Sequence, residues 1–249
     1  MRWDPDQYGR YNAERSRPFF DLLARVGADA PRRVVDLGCG SGTTTALLAQ
    51  RWPDARVEGL DSSAEMIASA APLTSDRLTF NVGDAAQWSG DADVVISNAM
   101  LQWLPEHREL VSRWAAALPT GAWLAFQVPG NFAAPSHTSI RSLAREFSVE
   151  RAVLREDTVG DAAEYAALLL DAGLIADAWE STYLHVLPGD DSVLDWLRGS
   201  ALRPVLAALS PADADEFCRR LGPQLHDAYQ STPHGTIFAF RRIFAVGHR

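Results

Sequence analysis

At 249 residues and 47% hydrophobic composition, the chain is long enough to bury a full core as a single domain spanning residues 1–249. A formal charge of −9 and a pI of about 5.1 exclude general nucleic-acid binding, which needs a basic face. The basic residues are all arginine, and the two cysteines, Cys39 and Cys218, make neither a disulfide framework nor a zinc pattern.

The N-terminal stretch MRWDPDQYGRYNAERSRPFF is polar and aromatic, with no apolar signal core, and no window of the chain approaches a membrane span. With the cysteine usage, this points to a reducing cytoplasm. FFDLLARVG has helical spacing and stops at Gly27; RRVVDLGCG is a short β-branched run entering a glycine loop, and TTTALLAQRW continues as a helix to Pro53. ARVEGLD reads as the second strand and SSAEMIASAA as the second crossover helix, with serine at its N-cap. RLTFNVGDA and DADVVISNAM are the third and fourth strands, EHRELVSRWAAAL an amphipathic helix, and AWLAFQVPGN the fifth strand. DAWESTYLHVL and GTIFAFRRIFAVGH are two further strands, and the helical stretch between them is too long for a hairpin loop.

Alternation of this kind predicts a Rossmann-like, mostly parallel seven-stranded sheet with helices on both faces, because each parallel connection needs a crossover. The last strand is expected to be antiparallel. The domain divides into a helical segment at 1–30 lying over the site, core sheet at 31–187 and 234–249, and a helical cap at 188–233.

The glycine loop decides what the sheet holds. A dinucleotide fingerprint wants G-x-G-x-x-G, but counting from Gly38 puts Thr43 at the third glycine, and counting from Gly40 puts Thr45 there. A nicotinamide dehydrogenase is disfavoured accordingly. Asp36 sits poorly beside a pyrophosphate and well beside a cation, such as the amino-acid tail of a sulfonium cofactor. Asp61 ends the second strand where a ribose is met, Asp84 follows the third, and Asn98 ends the fourth. One such carboxylate is more often a turn former or cap. Four polar groups at four successive strand ends make a ligand crevice.

These motifs resemble those of the class I S-adenosylmethionine-dependent methyltransferases, and the resemblance covers nearly the whole chain. It implies S-adenosyl-L-methionine as cofactor and S-adenosyl-L-homocysteine as product. It implies a cofactor site of Asp36, Gly38, Cys39 and Gly40 about the methionine moiety, Asp61 and Ser62 at the ribose, and Met66 beside the adenine. Gly83, Asp84 and Ala85 read the adenine edge, with Asn98 and Ala99 facing the same crevice. The segments WDPDQYGRYNAERSRPF, SNAMLQWLPEH, QVPGNFAAPSH and FAFRRIF lie outside those motifs. They resemble members of the family that form the monomethyl ester of a small polycarboxylic acid. The loop reads GCGSGTT where that pattern has GCGPGN, a change in stiffness rather than chemistry.

An ionised carboxylate is already a nucleophile at neutral pH, so no general base is required, and Tyr8 and Tyr11 are candidates only for positioning. Arginine forks match the remaining carboxylates. The acceptor candidates are Arg15, Arg17, Gln102, Trp103, His107, Asn131, His137 and Arg242; alternation sends Arg241 and Arg242 to opposite faces, so at most one points inward. The histidines are too scattered for a metal site, and no metal is expected. The partner is a small molecule, with no nucleic acid and no membrane, and the chain is expected to be a monomer or weak dimer. Other readings are methylation of a malonyl-carrier protein carboxylate, methylation of a small-molecule hydroxyl, and a non-catalytic module that binds S-adenosylmethionine.

Overall fold

The computed structural model describes residues 12–150, 153 and 159–249, and of residues 12–15 the backbone. The elements are α1 (Asn12–Leu23), β1 (Arg33–Leu37), α2 (Thr43–Arg51), β2 (Arg56–Asp61), α3 (Ala64–Ala70), β3 (Leu78–Val82), β4 (Val94–Asn98), α4 (His107–Ala117), β5 (Trp123–Pro129) and α5 (Pro135–Glu146), followed by α6 (Ala162–Asp171), β6 (Ile175–Leu187), α7 (Ser192–Arg198), α8 (Arg203–Ala207), α9 (Pro211–Ala228), β7 (Ser231–Thr232) and β8 (Gly235–His248).

The sheet order is β3-β2-β1-β4-β5-β8-β6, with β7 pairing β8. Strands β1 to β5 pair in parallel and β8 runs antiparallel to β5. The architecture is thus the open, mostly parallel Rossmann-like sheet that the alternation predicts. The eighth strand is the two-residue β7, folded back on Thr236 and Gly235. Two residues are too few to show alternation, so nothing in the pattern announces it.

β1 and β4 are buried along nearly their whole length, which is why they read as apolar runs rather than alternating ones. The order reverses between β1 and β4, creating the crevice at carboxyl strand ends where open α/β sheets bind ligands. Registers bring Asp36 opposite Gly59 on one side and Ile96 on the other, Asn98 opposite Gln127, and Pro129 opposite Arg242.

The chain divides into two compact units. One holds residues 16–129, 159–180 and 242–249, with a core that includes Val35, Val95, Trp114, Phe126, Tyr165 and Leu169. The other, among the described residues, holds 12–15, 130–150, 153 and 181–241. Its core packs Ile140 and Leu143 of α5 with Trp196, Phe217, Leu221 and Phe238. The helices between β6 and β8 therefore share their core with α5, whose buried Ser136, Ile140, Leu143 and Ala144 follow the helical period.

Candidate functional site

The glycine loop leaves β1 in a left-handed turn. Gly38 has φ 83°, and a Cβ there would lie 2.2 Å from the Met100 side chain, so the backbone must pass bare. Gly40, at φ 55°, differs: a Cβ there would meet nothing within 4 Å, and the loop faces open space at that point. The loop is pinned to β2, with Gly38 and Cys39 N–H donating to Leu60 O and Gly40 N–H donating to Asp61 Oδ2 at 2.9 Å.

Asp36 is 1% exposed. Thr45 of α2 donates its hydroxyl to Oδ2 at 2.7 Å, while Oδ1 has no hydrogen-bond partner among the described residues. Burial pushes this carboxyl from 3.8 up to about 6; Thr45 draws it down and the Asp61 charge pushes it up further. A buried carboxylate oxygen without a donor needs an explanation, and an ammonium supplies one. That orphaned oxygen and the open cradle at Gly40 fit the amino-acid end of the sulfonium cofactor.

Asp61 ends β2 with its carboxylate held from both sides: Oδ1 accepts from Ser63 N–H and Oδ2 from Gly40 N–H, both at 2.9 Å. Ser63 caps α3 by accepting from Met66 N–H, and Ser62 is exposed and Met66 half-buried. Gly83 donates to Asp61 O, and Asp84 caps the following turn by accepting from Ala86 N–H at 2.8 Å. Asp84 is exposed and Ala85 beneath it is buried.

On the other side of β1 the character changes. Arg242 of β8 is only 8% exposed and donates from a terminal nitrogen to Gln127 Oε1 at 3.2 Å. Gln127 of β5 donates from Nε2 to Asn98 Oδ1 at 2.6 Å. Ala99, after Asn98, has φ 55°, a strained conformation for a residue with a Cβ, and its carbonyl accepts from Gln102 Nε2. The crevice thus has a carboxylate half on β1, β2 and β3 and a guanidinium half on β5 and β8, with β4 between them.

Comparison with known proteins identifies the family. A family model described as a methyltransferase domain matches residues 11–174. A relative from Rhodococcus jostii named trans-aconitate 2-methyltransferase is 52% identical over 98% of both chains. The chain belongs to the trans-aconitate 2-methyltransferase family. A member from Mycobacterium tuberculosis is 49% identical over 98% of this chain and 95% of its own. The solved structure of phosphoethanolamine N-methyltransferase 2 from Haemonchus contortus, in complex with S-adenosyl-L-methionine, shares the fold. Its TM-score is 0.56 at 18% identity, covering 93% of this chain and 52% of that one.

In this methyltransferase several residues read from sequence as acceptor ligands have other work. His107 is fully buried as the first residue of α4. Its Nδ1–H donates to Leu104 O, and Nε2 accepts from the Tyr165 hydroxyl, which in turn accepts from Gly160 N–H. Both ring nitrogens are used and burial holds its pKa below the usual value, so it is a neutral core residue rather than a substrate ligand. Asn131, also read from sequence as an acceptor ligand, is likewise engaged by the protein itself. Its side chain donates to Arg241 O and accepts from Arg241 N–H, acting as a surrogate strand for β8.

His137 is half-buried against Ser136 Oγ, with burial and Arg141 lowering its pKa to about 4. It supplies no positive charge at neutral pH. The Cys39 thiol is buried, with Sγ 2.9 Å from where a Cβ on Gly59 would stand, so only the loop backbone at this residue is available. Burial and the Asp36 and Asp61 charges push the thiol up and keep it protonated. Gln102 is buried, Trp103 is 43% exposed, and Arg17 is exposed on α1. Tyr8, Tyr11 and the Arg15 side chain lie outside the described residues. The sequence reading missed Thr45 and Gln127; a glutamine inside the otherwise apolar strand WLAFQVP was the available signal, because a buried amide needs partners. Among the described residues no acidic or thiol cluster could hold a metal ion, and no helix is long and apolar enough to cross a membrane.

Proposed function

We propose that the enzyme methylates a carboxylate of a small polycarboxylic acid, trans-aconitate foremost, using S-adenosyl-L-methionine as donor. The observation that carries the reading is the buried Arg242 guanidinium at the same sheet edge as the buried Asp36 carboxylate, one an anion seat and the other a cation seat. The names borne by the R. jostii and M. tuberculosis relatives support the choice of acid.

The donor, when bound, supplies an electrophilic methyl group on a sulfonium. Asp36 receives the ammonium through its orphaned oxygen, Asp61 accepts from the ribose hydroxyls, and Asp84 accepts from the adenine amino group. The acceptor carboxylate needs no proton removed, so no residue is assigned as a base. Arg242 binds a carboxylate of the acid and fixes the approach of its reacting oxygen, and such positioning supplies about 7 kcal/mol or more in well-oriented systems. One C–O bond forms as one C–S bond breaks. Arginine is suited to the seat because its fork matches a carboxylate and its charge persists when buried. The cytoplasmic location and the monomeric or weakly dimeric state are carried as part of this proposal.

The test is to supply isotopically labelled S-adenosylmethionine with trans-aconitate, cis-aconitate, isocitrate, citrate or a malonyl-carrier protein, and identify products by mass spectrometry. A labelled monomethyl ester from trans-aconitate supports the reading. Labelling of the carrier protein alone overturns it.

A further inference from the structure

Resting on that reading, we infer that Asn98 donates a hydrogen bond to the acceptor's carboxylate, and that Gln127 is the positioning residue that makes it a donor. A guanidinium has donors and no acceptor, so the Gln127 amide must turn its oxygen toward Arg242. Its nitrogen is then the only atom left for Asn98, and the Asn98 oxygen must face it, as the 2.6 Å contact shows. The NH2 group of Asn98 consequently points away from Gln127 and has no protein partner among the described residues. Gln127 is 1% exposed and cannot reverse its amide without setting a donor against a donor.

The backbone fixes the same result. Asn98 is the last residue of β4, held by Ala99 N–H to Gln127 O and by the strained turn that the Gln102 side chain closes on Ala99 O. β4 stands between the glycine-loop strand and the strands that carry Gln127 and Arg242. A donor there meets lone pairs, as a carboxylate offers. It discourages an amine or hydroxyl acceptor, whose N–H or O–H would need an oxygen at this position. Asn98 thus moves from the cofactor set to the acceptor set, and Arg242, beside its own contact with the acid, also sets the direction of hydrogen bonding in the crevice through two amides.

Asn98→Ala, Asn98→Asp, Gln127→Glu and the double variant Asn98→Ala with Gln127→Glu test this. The carboxylate that Gln127→Glu introduces only accepts, so it keeps Arg242 but turns the Asn98 amide around to show its oxygen. Binding of trans-aconitate to the complex with S-adenosylhomocysteine is read by calorimetry, beside KM, kcat and thermal stability. Gln127→Glu is expected to weaken acceptor binding tenfold or more with stability and S-adenosylhomocysteine affinity retained. Asn98→Asp is expected to bind worse than Asn98→Ala. In the double variant most of the Gln127→Glu effect disappears, because there is no amide left to turn. Multiplying effects, or an Asn98→Asp enzyme that binds the acid as well as Asn98→Ala does, overturn the relay. Should Gln127→Glu not fold, the Asn98 pair decides alone. A wild-type enzyme that methylates none of the acids overturns the reading beneath the relay and the relay with it, whereas an active wild type with multiplying variants overturns the relay only.

Discussion

Replacing Asp36 with asparagine separates stability from cofactor binding, because the two place opposite demands on this carboxyl. In the folded protein without cofactor its pKa is raised from 3.8 to about 6, chiefly by burial. A raised carboxyl binds a proton more tightly when folded, so its favourable contribution is complete below about pH 4 and is lost as pH rises through about 6. Each pH unit between the two values is worth about 1.4 kcal/mol, so the wild type forfeits about 3 kcal/mol across that window. Asparagine keeps an oxygen for the Thr45 hydroxyl and does not ionise. The difference in unfolding free energy, variant minus wild type, therefore rises by about 3 kcal/mol between pH 4 and pH 7, then levels off. An unpartnered amide in place of the unpartnered oxygen shifts the whole curve without changing its slope. Urea unfolding at half-unit pH steps reads this directly. S-adenosylmethionine binding moves the other way: loss of a charge-assisted bond costs about 1.5–3 kcal/mol, roughly tenfold or more in Kd. A pH-independent difference refutes the burial argument, and unchanged cofactor affinity refutes the assignment of the orphaned oxygen.

Replacing Arg242 with glutamine is expected to lower kcat/KM for trans-aconitate by about 2–5 kcal/mol in transition-state stabilisation, with S-adenosylhomocysteine affinity measured by calorimetry staying within about twofold. Gly40→Ala has room for its methyl group but a left-handed backbone. It should cost about 1 kcal/mol of stability and weaken cofactor binding more than that, as paired denaturation and binding titrations will show. His107→Ala should destabilise the fold by about 2–4 kcal/mol through the cavity and the abandoned Tyr165 hydroxyl, with KM for the acid unchanged. His137 contributes in the opposite sense to Asp36: its pKa is lowered to about 4, so stability from its neutral form is full above about pH 6.5 and drains away toward pH 4. His137→Gln should flatten that acid limb in a urea series.

The sheet was legible because its signals are local. Apolar runs such as VVDL and VVIS, glycines at Gly38 and Gly40, and an acidic residue closing β2 each declare themselves within a few positions. The carboxylate half of the crevice follows, since each parallel strand delivers its last residues to one edge. The guanidinium half was readable only in part. Alternation allowed at most one of the neighbours Arg241 and Arg242 to turn inward, and Arg242 is the buried one. Which groups surround it depends on contacts between positions more than a hundred residues apart, as Arg242 with Gln127. His107 and Asn131 misled for the same reason. Both follow strand ends, where polar residues suggest ligands, yet His107 is absorbed by Tyr165 and Asn131 by the Arg241 backbone. No period in the sequence tells a polar group that meets a ligand from one that meets a distant piece of its own chain.

The central claim is that this site selects a polycarboxylate as methyl acceptor. Internal competition tests it most directly: trans-aconitate, citrate, cis-aconitate and a malonyl-carrier protein together in one vessel at equal concentration, with limiting labelled S-adenosylmethionine. The ratio of labelled products gives the ratio of kcat/KM values. The trans-aconitate monomethyl ester is expected to dominate, and Arg242→Gln to erode its lead. Label appearing mainly on the carrier protein, or a lead that Arg242→Gln leaves intact, would contradict it.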